Sequence, residues 1–300
     1  MAGQEPTGAG APTAFSKSRN GPAATAFLAC LALICGSIGA GEASAQEAAA
    51  PLAQPAYADL VDLADQASIV PIVTITGQAA VEPERSPGLL PGMVRLYIEA
   101  DTETLLSGRG GMGESVAYLA DANLAGNGKA PKLKKARMIL FADPVRGRID
   151  QLQLVERDSQ LPATPSTEAR VRAILAELVS PDAPPRVTGI RDVLSVPGNL
   201  AGEWETQIFL ATENRAPASI TILRRSGQQP QWGVSWNELV AHSLTPPGRD
   251  SLEWYRLACF LPAELPASAR LGSDPAAGRQ AATDYALVLR DLGPCTRTRS

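Results

Sequence analysis

From residue 68 to residue 155 the chain repeats one pattern. A run of β-branched or alternating residues is followed by a stretch rich in glycine, proline or asparagine. Alternation with period two buries one face only when the run is a strand in a sheet. The runs cover residues 68–81, 93–106, 115–122, 137–141 and 149–155. In the first, Thr74 and Thr76 alternate with Val73 and Ile75, and in the second Val94, Leu96 and Ile98 share a face. The breaks are equally informative. Residues 83–92 hold Pro83, Pro87, Pro91, Gly88 and Gly92 and read as a loop, and Asn127-Gly128 is a turn signal. Five short strands in succession confine this half to a meander or a small closed barrel.

Long first strands followed by shorter ones resemble an oligomer-binding (OB-type) barrel, a likeness of fold that carries no function. A helix over residues 57–67 precedes the strands, with Leu60, Leu63, Ala64 and Ala67 on one face and Asp59, Asp62 and Asp65 on the other. Three acids at that spacing could suggest a cation site, but a solvated helix face is the simpler reading. After the strands, Thr164 and Pro165 open a helix whose apolar stripe is Val171, Ile174, Leu175, Leu178 and Val179. Residues 180–185 are proline-rich and end it. Four more strands are expected over 187–196, 204–211, 218–224 and 232–236, then two helices. The first opens on the capping box Asp250-Ser251-Leu252-Glu253. The second is capped by Asp274, with Pro275 at its first position, and stopped by Gly293-Pro294. The fold class is α+β. The expected organisation is a β-rich, OB-like domain over 57–160 and an α+β domain over 161–300.

The first 56 residues stand apart. Lys17 and Arg19 precede an apolar run over 23–40, and Ala43-Ser44-Ala45 is a small-x-small site. These are the parts of a secretory signal peptide, with cleavage between Ala45 and Gln46. The alternative is an inner-membrane anchor formed by residues 23–40, barely long enough to span. Residues 46–56 read as a flexible leader. No later segment is long and apolar enough to cross a membrane. Cys30 and Cys35 leave with the signal, and Cys259 and Cys295 remain as an even pair in an oxidising compartment, where a disulfide is expected.

Charge and composition exclude several functions. Lys+Arg 27 against Asp+Glu 31 gives a net charge of −4, which argues against a nucleic-acid binder. With one histidine, His242, a multi-histidine metal site is impossible, and Ser235, Ser243, Ser251 and Asp250 near it form no nucleophile elbow. Residues 108–113 match G-x-G-x-x-G formally, but a strand-like run follows where a dinucleotide site needs a helix. No cofactor is expected. Glu203 and Glu205 flank Trp204, with Trp232 and Trp236 further on, which are the makings of a sugar site. On a strand the two acids share a face and the tryptophan lies opposite, so core or hinge anchors are the simpler reading of the tryptophans. One basic run stands out: Lys129, Lys132, Lys134, Lys135 and Arg137 are candidate ligands for an anionic envelope polymer, or charges that guard a sheet edge.

Several runs are similar to a family of uncharacterised exported proteobacterial proteins. They are Val81-Glu82-Pro83-Glu84-Arg85, Pro131-Lys132-Leu133-Lys134-Lys135, Pro184-Pro185-Arg186-Val187-Thr188-Gly189, Glu205-Thr206-Gln207-Ile208-Phe209-Leu210 and Trp254-Tyr255-Arg256-Leu257-Ala258-Cys259. The resemblance spans most of the chain after the signal. It implies export and a shared fold, and no catalytic residue. Together these readings point to a periplasmic or cell-envelope protein with a non-catalytic binding or structural role, its partner an envelope protein or an anionic polymer. The alternative is a carboxylate-dependent envelope hydrolase acting on a glycan.

Overall fold

Glycines and prolines divide the chain into short elements, and the computed structural model shows how those elements close on one another. It describes residues 54–108, 112–237 and 244–299. The predicted signal segment 1–45, the leader up to residue 53 and His242 lie outside the described residues. Residues 51–300 cluster as one unit. In chain order its elements are α1 (Tyr57–Gln66), β1 (Ile69–Ala80), a 3-10 turn (Pro83–Arg85), β2 (Met93–Gly108), β3 (Ser115–Asn123), β4 (Arg137–Leu140), β5 (Ala142–Val145), β6 (Arg148–Leu154) and β7 (Gln160–Pro162). Then come α2 (Pro165–Leu178), β8 (Val187–Pro197), β9 (Trp204–Thr212), β10 (Ser219–Arg224), β11 (Gln231–Ser235), α3 (Leu252–Ala258) and α4 (Pro275–Leu292). The class is α+β, as the alternation of runs predicts.

The first seven-stranded sheet has the order β2-β3-β6-β5-β1-β4-β7, and β2 pairs again with β1, so the sheet returns on itself as a ring. Closure needs a long strand that bends. β1 is 12 residues long, and its register with β2 shifts at Val70/Pro71, Ile72/Val73 and Ile75/Gly77. Each irregularity adds local bend and twist, and Pro71, which has no N–H to donate, sits at one of them. β1 and β2 also approach closely where they start and finish. At Gly108, with φ +138°, a Cβ would lie 2.6 Å from Ile69 Cγ2, so the first glycine of the G-x-G-x-x-G match is there for backbone shape. One pairing departs from the antiparallel meander: β3 and β6 run parallel, Ala117 opposite Gln151 and Tyr118 opposite Leu152.

Alternation along β1 and β4 divides the apolar residues between two cores. Ile69, Val73, Ile75, Met138 and Leu140 face the inside of the ring with Leu96, Ile98, Val116, Tyr118, Leu152 and Leu154. Val70, Ile72, Ile139 and Phe141 face out, into a second core with Leu60 and Val61 of α1, Val171 and Ile174 of α2, Ile208, Ile220, Ile222 and Trp232 of the second sheet, and Tyr255 and Val288 of α3 and α4. That core takes residues from both sides of the proline-rich stretch at 180–185.

The second sheet is antiparallel, in the order β11-β10-β9-β8. α4 turns Ala281, Asp284, Tyr285, Val288 and Leu292 inward, and Asp274 accepts from the N–H groups of Ala276 and Ala277 as predicted for its cap. α2 starts as its sequence requires, Thr164 Oγ1 accepting from the Thr167 N–H at 3.1 Å. α3 starts one residue later than the predicted box: Ser251, and not Asp250, accepts from the Trp254 N–H at 3.1 Å, while Asp250 adopts φ +58°. Cys259 and Cys295 are bonded, with Cα atoms 5.0 Å apart, joining the end of α3 to the chain beyond α4. This bridge is compatible with an oxidising compartment. Among the described residues no helix is long and apolar enough to cross a membrane.

Candidate functional site

A groove of about 830 Å³ lies on the outside of the ring. It follows from the pleat. Residues next to core positions on β2, β3 and β6 point outward, and the register lines them up: Ala79 opposite Tyr97 across β1 and β2, Tyr97 opposite Leu119 across β2 and β3, and Ala117 opposite Gln151 across β3 and β6. Tyr97 and Leu119 are exposed although apolar. Gln151 and Gln153 add amide groups, and Glu82, Arg85 and Arg157 complete the charged lining. Among the described residues neither Arg85 nor Arg157 forms an ion pair, so both guanidiniums are available to a ligand. Glu82 is the one carboxylate in this lining.

A buried ion pair holds the walls of the groove in place. Arg95 Nε and Nη2 donate to the two oxygens of Asp121 at 2.7 and 2.8 Å, and both side chains are less than a tenth exposed. The fork geometry suits a planar guanidinium facing a carboxylate. The hydrogen bond to Asp121 raises the Arg95 pKa above its usual value. The same arginine donates from Nη1 to the Pro87 carbonyl at 3.1 Å, tying down the β1–β2 loop that carries Arg85. Asp121 N–H in turn donates to the Arg157 carbonyl at 2.7 Å. One buried pair thereby fixes the backbone on which both groove arginines sit. Beneath the groove Tyr118 donates its hydroxyl to Gln160 at 3.0 Å, and burial pushes its pKa up, so it serves as a neutral structural donor.

The basic run occupies the β3–β4 loop and the start of β4. Lys129, Lys132, Lys134 and Lys135 are exposed. Arg137 differs from them: its Nε donates to Glu103 at 2.6 Å and its Nη1 to Glu168 at 2.9 Å, so it is committed within the fold. These bonds depress both carboxylates. Glu103 is held below its usual range by Thr74 first and Arg137 next, and Glu168 by Arg172 and then Arg137.

The acidic face of α1 is neither a solvated face nor a cation site. Asp59 is buried and accepts from the backbone N–H of Thr298 at 2.9 Å. Asp62 accepts from the Tyr255 hydroxyl at 2.5 Å and from Arg297 Nε at 2.7 Å. Asp65 accepts from Arg256 at 2.8 Å and Arg186 at 3.0 Å. The correction has a plain cause. The face that looks free in the α1 sequence is covered by residues 297–299, held nearby through Cys295, and by arginines from α3 and the β8 approach. Among the described residues no group of three His, Cys, Asp or Glu side chains is placed to hold a metal.

The Glu203–Trp204–Glu205 cluster lines a smaller depression with Arg224 and Arg225. Glu203 accepts from the Leu200 N–H at 3.2 Å and Glu205 from Gln207 at 2.9 Å. Trp232 and Trp254 are core residues whose indole N–H groups donate to Asp291 at 3.0 Å and to the Leu292 carbonyl at 2.8 Å. The G-x-G-x-x-G stretch joins β2 to β3, with residues 109–111 outside the described residues, and the chain resumes as a strand at Ser115. Of the groove side chains, Val81, Glu82 and Arg85 fall in a run that carries the family resemblance, and the sequence holds one further sign. Tyr97 is an aromatic on the polar side of a strand, between Leu96 and Ile98, where alternation calls for a hydrophilic residue. Comparison with known proteins adds no relative: no protein-family model matches the chain, and no curated protein matches it.

Proposed function

We propose that the protein is a non-catalytic binding protein of the periplasm or cell envelope whose groove takes an extended anionic oligomer, such as an acidic glycan. The single observation that carries this is the groove lining: an exposed tyrosine beside an exposed leucine, two glutamines, and two guanidiniums that pair with no carboxylate among the described residues. A tyrosine ring offers an apolar platform with a polar tip, amides donate and accept, and an arginine fork matches carboxylate or phosphate. Export rests on the signal-like start, the small-x-small site before Gln46 and the resemblance to exported proteins, and the Cys259–Cys295 bridge suits an oxidising compartment.

The strand order supports an OB-type reading of the ring. β1 pairs with β2 and again with the β4–β5 segment, and the parallel β3–β6 pair completes the circuit. In OB-type barrels the outer face of the second and third strands, flanked by loops, binds oligonucleotides or oligosaccharides. The groove here lies over the corresponding strands. This is an analogy of fold, and the charge and chemistry of the lining carry the ligand class.

Titration of the purified protein with oligogalacturonate, followed by calorimetry and set against neutral maltooligosaccharide, tests the reading. Binding of the acidic oligomer is expected, weakened at least tenfold in Arg85→Ala/Arg157→Ala, which loses two charge-assisted contacts. A folded protein that binds neither oligomer refutes the groove reading. Shortening of the oligomer during the titration would favour the glycan-hydrolase alternative instead.

A further inference from the structure

All four lysines beyond residue 17 fall between residues 129 and 135, and no Asp or Glu lies between Asp121 and Asp143. A loop so composed repels itself, yet it is held firmly. Gln78 clasps it from both sides, donating from Nε2 to the Pro131 carbonyl at 2.8 Å and accepting from the Leu133 N–H at 2.6 Å. Lys135 N–H donates to the Ile75 carbonyl at 2.8 Å, and Ala136 accepts from the Ile75 N–H at 2.9 Å. Ala130, Leu133 and Ala136 pack against the core of the ring, so the lysines between them are turned outward. Lys135 is kept at φ +71°, a conformation that disfavours a side chain. Such strain persists where surrounding structure enforces it.

A second loop emerges at the same end of the ring. β3 ends opposite the start of β2, Asn123 facing Met93, and Leu124 N–H donates to the Gly92 carbonyl at 2.8 Å. The β1–β2 loop therefore lies beside the lysine loop. Its tip is Gly88-Leu89-Leu90-Pro91-Gly92, with both glycines at positive φ and Leu90 66% exposed. Glu82, Glu84 and Arg85 sit at its base, so the acids there offset part of the basic charge, and the end as a whole stays positive.

We propose that this end of the ring docks on an anionic phospholipid surface, with Lys129, Lys132, Lys134 and Lys135 against the headgroups and the Leu90 tip entering the interface. Three features favour a bilayer over a soluble polymer. Lysine is a compact, hydrated point charge suited to a diffuse anionic surface, and bidentate recognition would call for arginine, which this chain uses widely elsewhere. An apolar tip beside a basic patch is the combination that interfacial binding uses. The clasp by Gln78 also means that little loop order is lost on docking. The proposal does not rest on the groove reading, although the β1–β2 loop also carries Glu82 and Arg85 of the groove at its base.

The test is sedimentation of the purified protein with vesicles of phosphatidylcholine alone and of phosphatidylcholine with phosphatidylglycerol. Binding is expected to the mixed vesicles only, and to fall steeply with salt. Each lysine near an anionic surface contributes about fivefold in partitioning, so Lys129→Glu/Lys132→Glu/Lys134→Glu will lower it about a hundredfold or more. Leu90→Ser, which leaves the charges intact, will lower it about tenfold. Lys135 stays unchanged in both variants because its backbone is strained. Unaltered melting shows that the variants are folded, and the salt dependence of the unmodified protein reads the same interaction without a variant. No binding to the mixed vesicles overturns the proposal. So does equal binding by the lysine variant. Capture of soluble polyphosphate with no affinity for vesicles also overturns it, in favour of a polymer ligand.

Discussion

Reducing the Cys259–Cys295 bridge will lower the unfolding free energy by about 3–4 kcal/mol, and the loop it closes sets the size. The two residues are 36 apart in sequence. In the chain-entropy description, a loop of that length withholds about 3.8 kcal/mol of freedom from the unfolded ensemble at 25 °C. The native arrangement has other supports at the same place. Trp254 donates to the Leu292 carbonyl at 2.8 Å, tying α3 to the end of α4, and both helices pack into the second core. The folded state therefore survives reduction, and the loss comes mainly from the unfolded side. A smaller folded-state loss is added if residues 297–299 loosen from α1. Arg297 and Asp62 are 40% and 25% exposed, so solvent screening limits their pair to about 1 kcal/mol or less. Urea unfolding followed by tryptophan fluorescence, with and without reductant, measures the difference, and Cys259→Ala/Cys295→Ala repeats it without a redox reagent. For a domain of this size the melting temperature should fall by roughly 8–15 °C. The denaturant slope should rise, because the unlinked unfolded chain exposes more surface. A change below about 1 kcal/mol in both experiments would refute the loop-entropy reasoning. Reactive thiols at both positions in unreduced, denatured protein would refute the bridge itself.

Two further outcomes follow from buried or shielded carboxylates. Asp284, with no exposed surface, accepts from Arg224 Nε and Thr206 Oγ1 at 2.5 Å each and from Gln280 at 3.0 Å. Asp284→Ala strands these donors beneath the second sheet and will cost about 2–4 kcal/mol in denaturant unfolding, with Asp284→Asn costing less. Acid should also destabilise the fold through Glu103 and Glu168. Both have folded-state pKa values below the ordinary 4.5, so their stabilising contribution is present above that pH and is lost as pH falls through the depressed values. Unfolding measured from pH 6 downward should show this acid limb, and Arg137→Ala should flatten it. An unchanged limb in that variant would show that other carboxylates cause it.

Elements were legible wherever local pattern decides structure. The long strands β1, β2 and β9 stand where alternation places them, and α2 and α4 begin at the Thr164-Pro165 and Asp274-Pro275 signals. β5 and β7 escaped notice because their signal is weak and their partners are remote. β5 contains Pro144 in a four-residue strand, and β7 is three residues ending on Pro162. β5 exists because it pairs with β6 through Ala142 and Leu154, and β7 because it pairs with β4 through Ile139 and Leu161. Neither register has a local signature. The parallel β3–β6 pair was equally invisible, since alternation reveals that a segment is a strand and says nothing of the direction of its neighbour.

The same distinction separates the charged residues that remain available to a partner from those that do not. On α1, Asp59, Asp62 and Asp65 look like a free acidic face because their partners, Thr298, Arg297, Arg256 and Arg186, lie more than a hundred residues away. Arg137 looks continuous with the lysines before it, yet Glu103 and Glu168 reach it from β2 and α2. The four lysines differ because no acid lies within their loop and the loop itself turns them outward. Folding thus sorts this chain's charge in two steps. Arg95, Arg137, Arg186 and Arg256 find carboxylates across the tertiary structure and become fixed, while the lysines, strongly hydrated and poor at bidentate pairing, stay at the end of the ring. Arg85 and Arg157 are among the described arginines that form no ion pair, and the groove sets them apart. They sit in a groove whose backbone is held by the buried Arg95–Asp121 pair, with no ion-pair partner among the described residues. The inaccessible arginine is structural, and the two accessible ones are the groups that the proposed groove recognition would use.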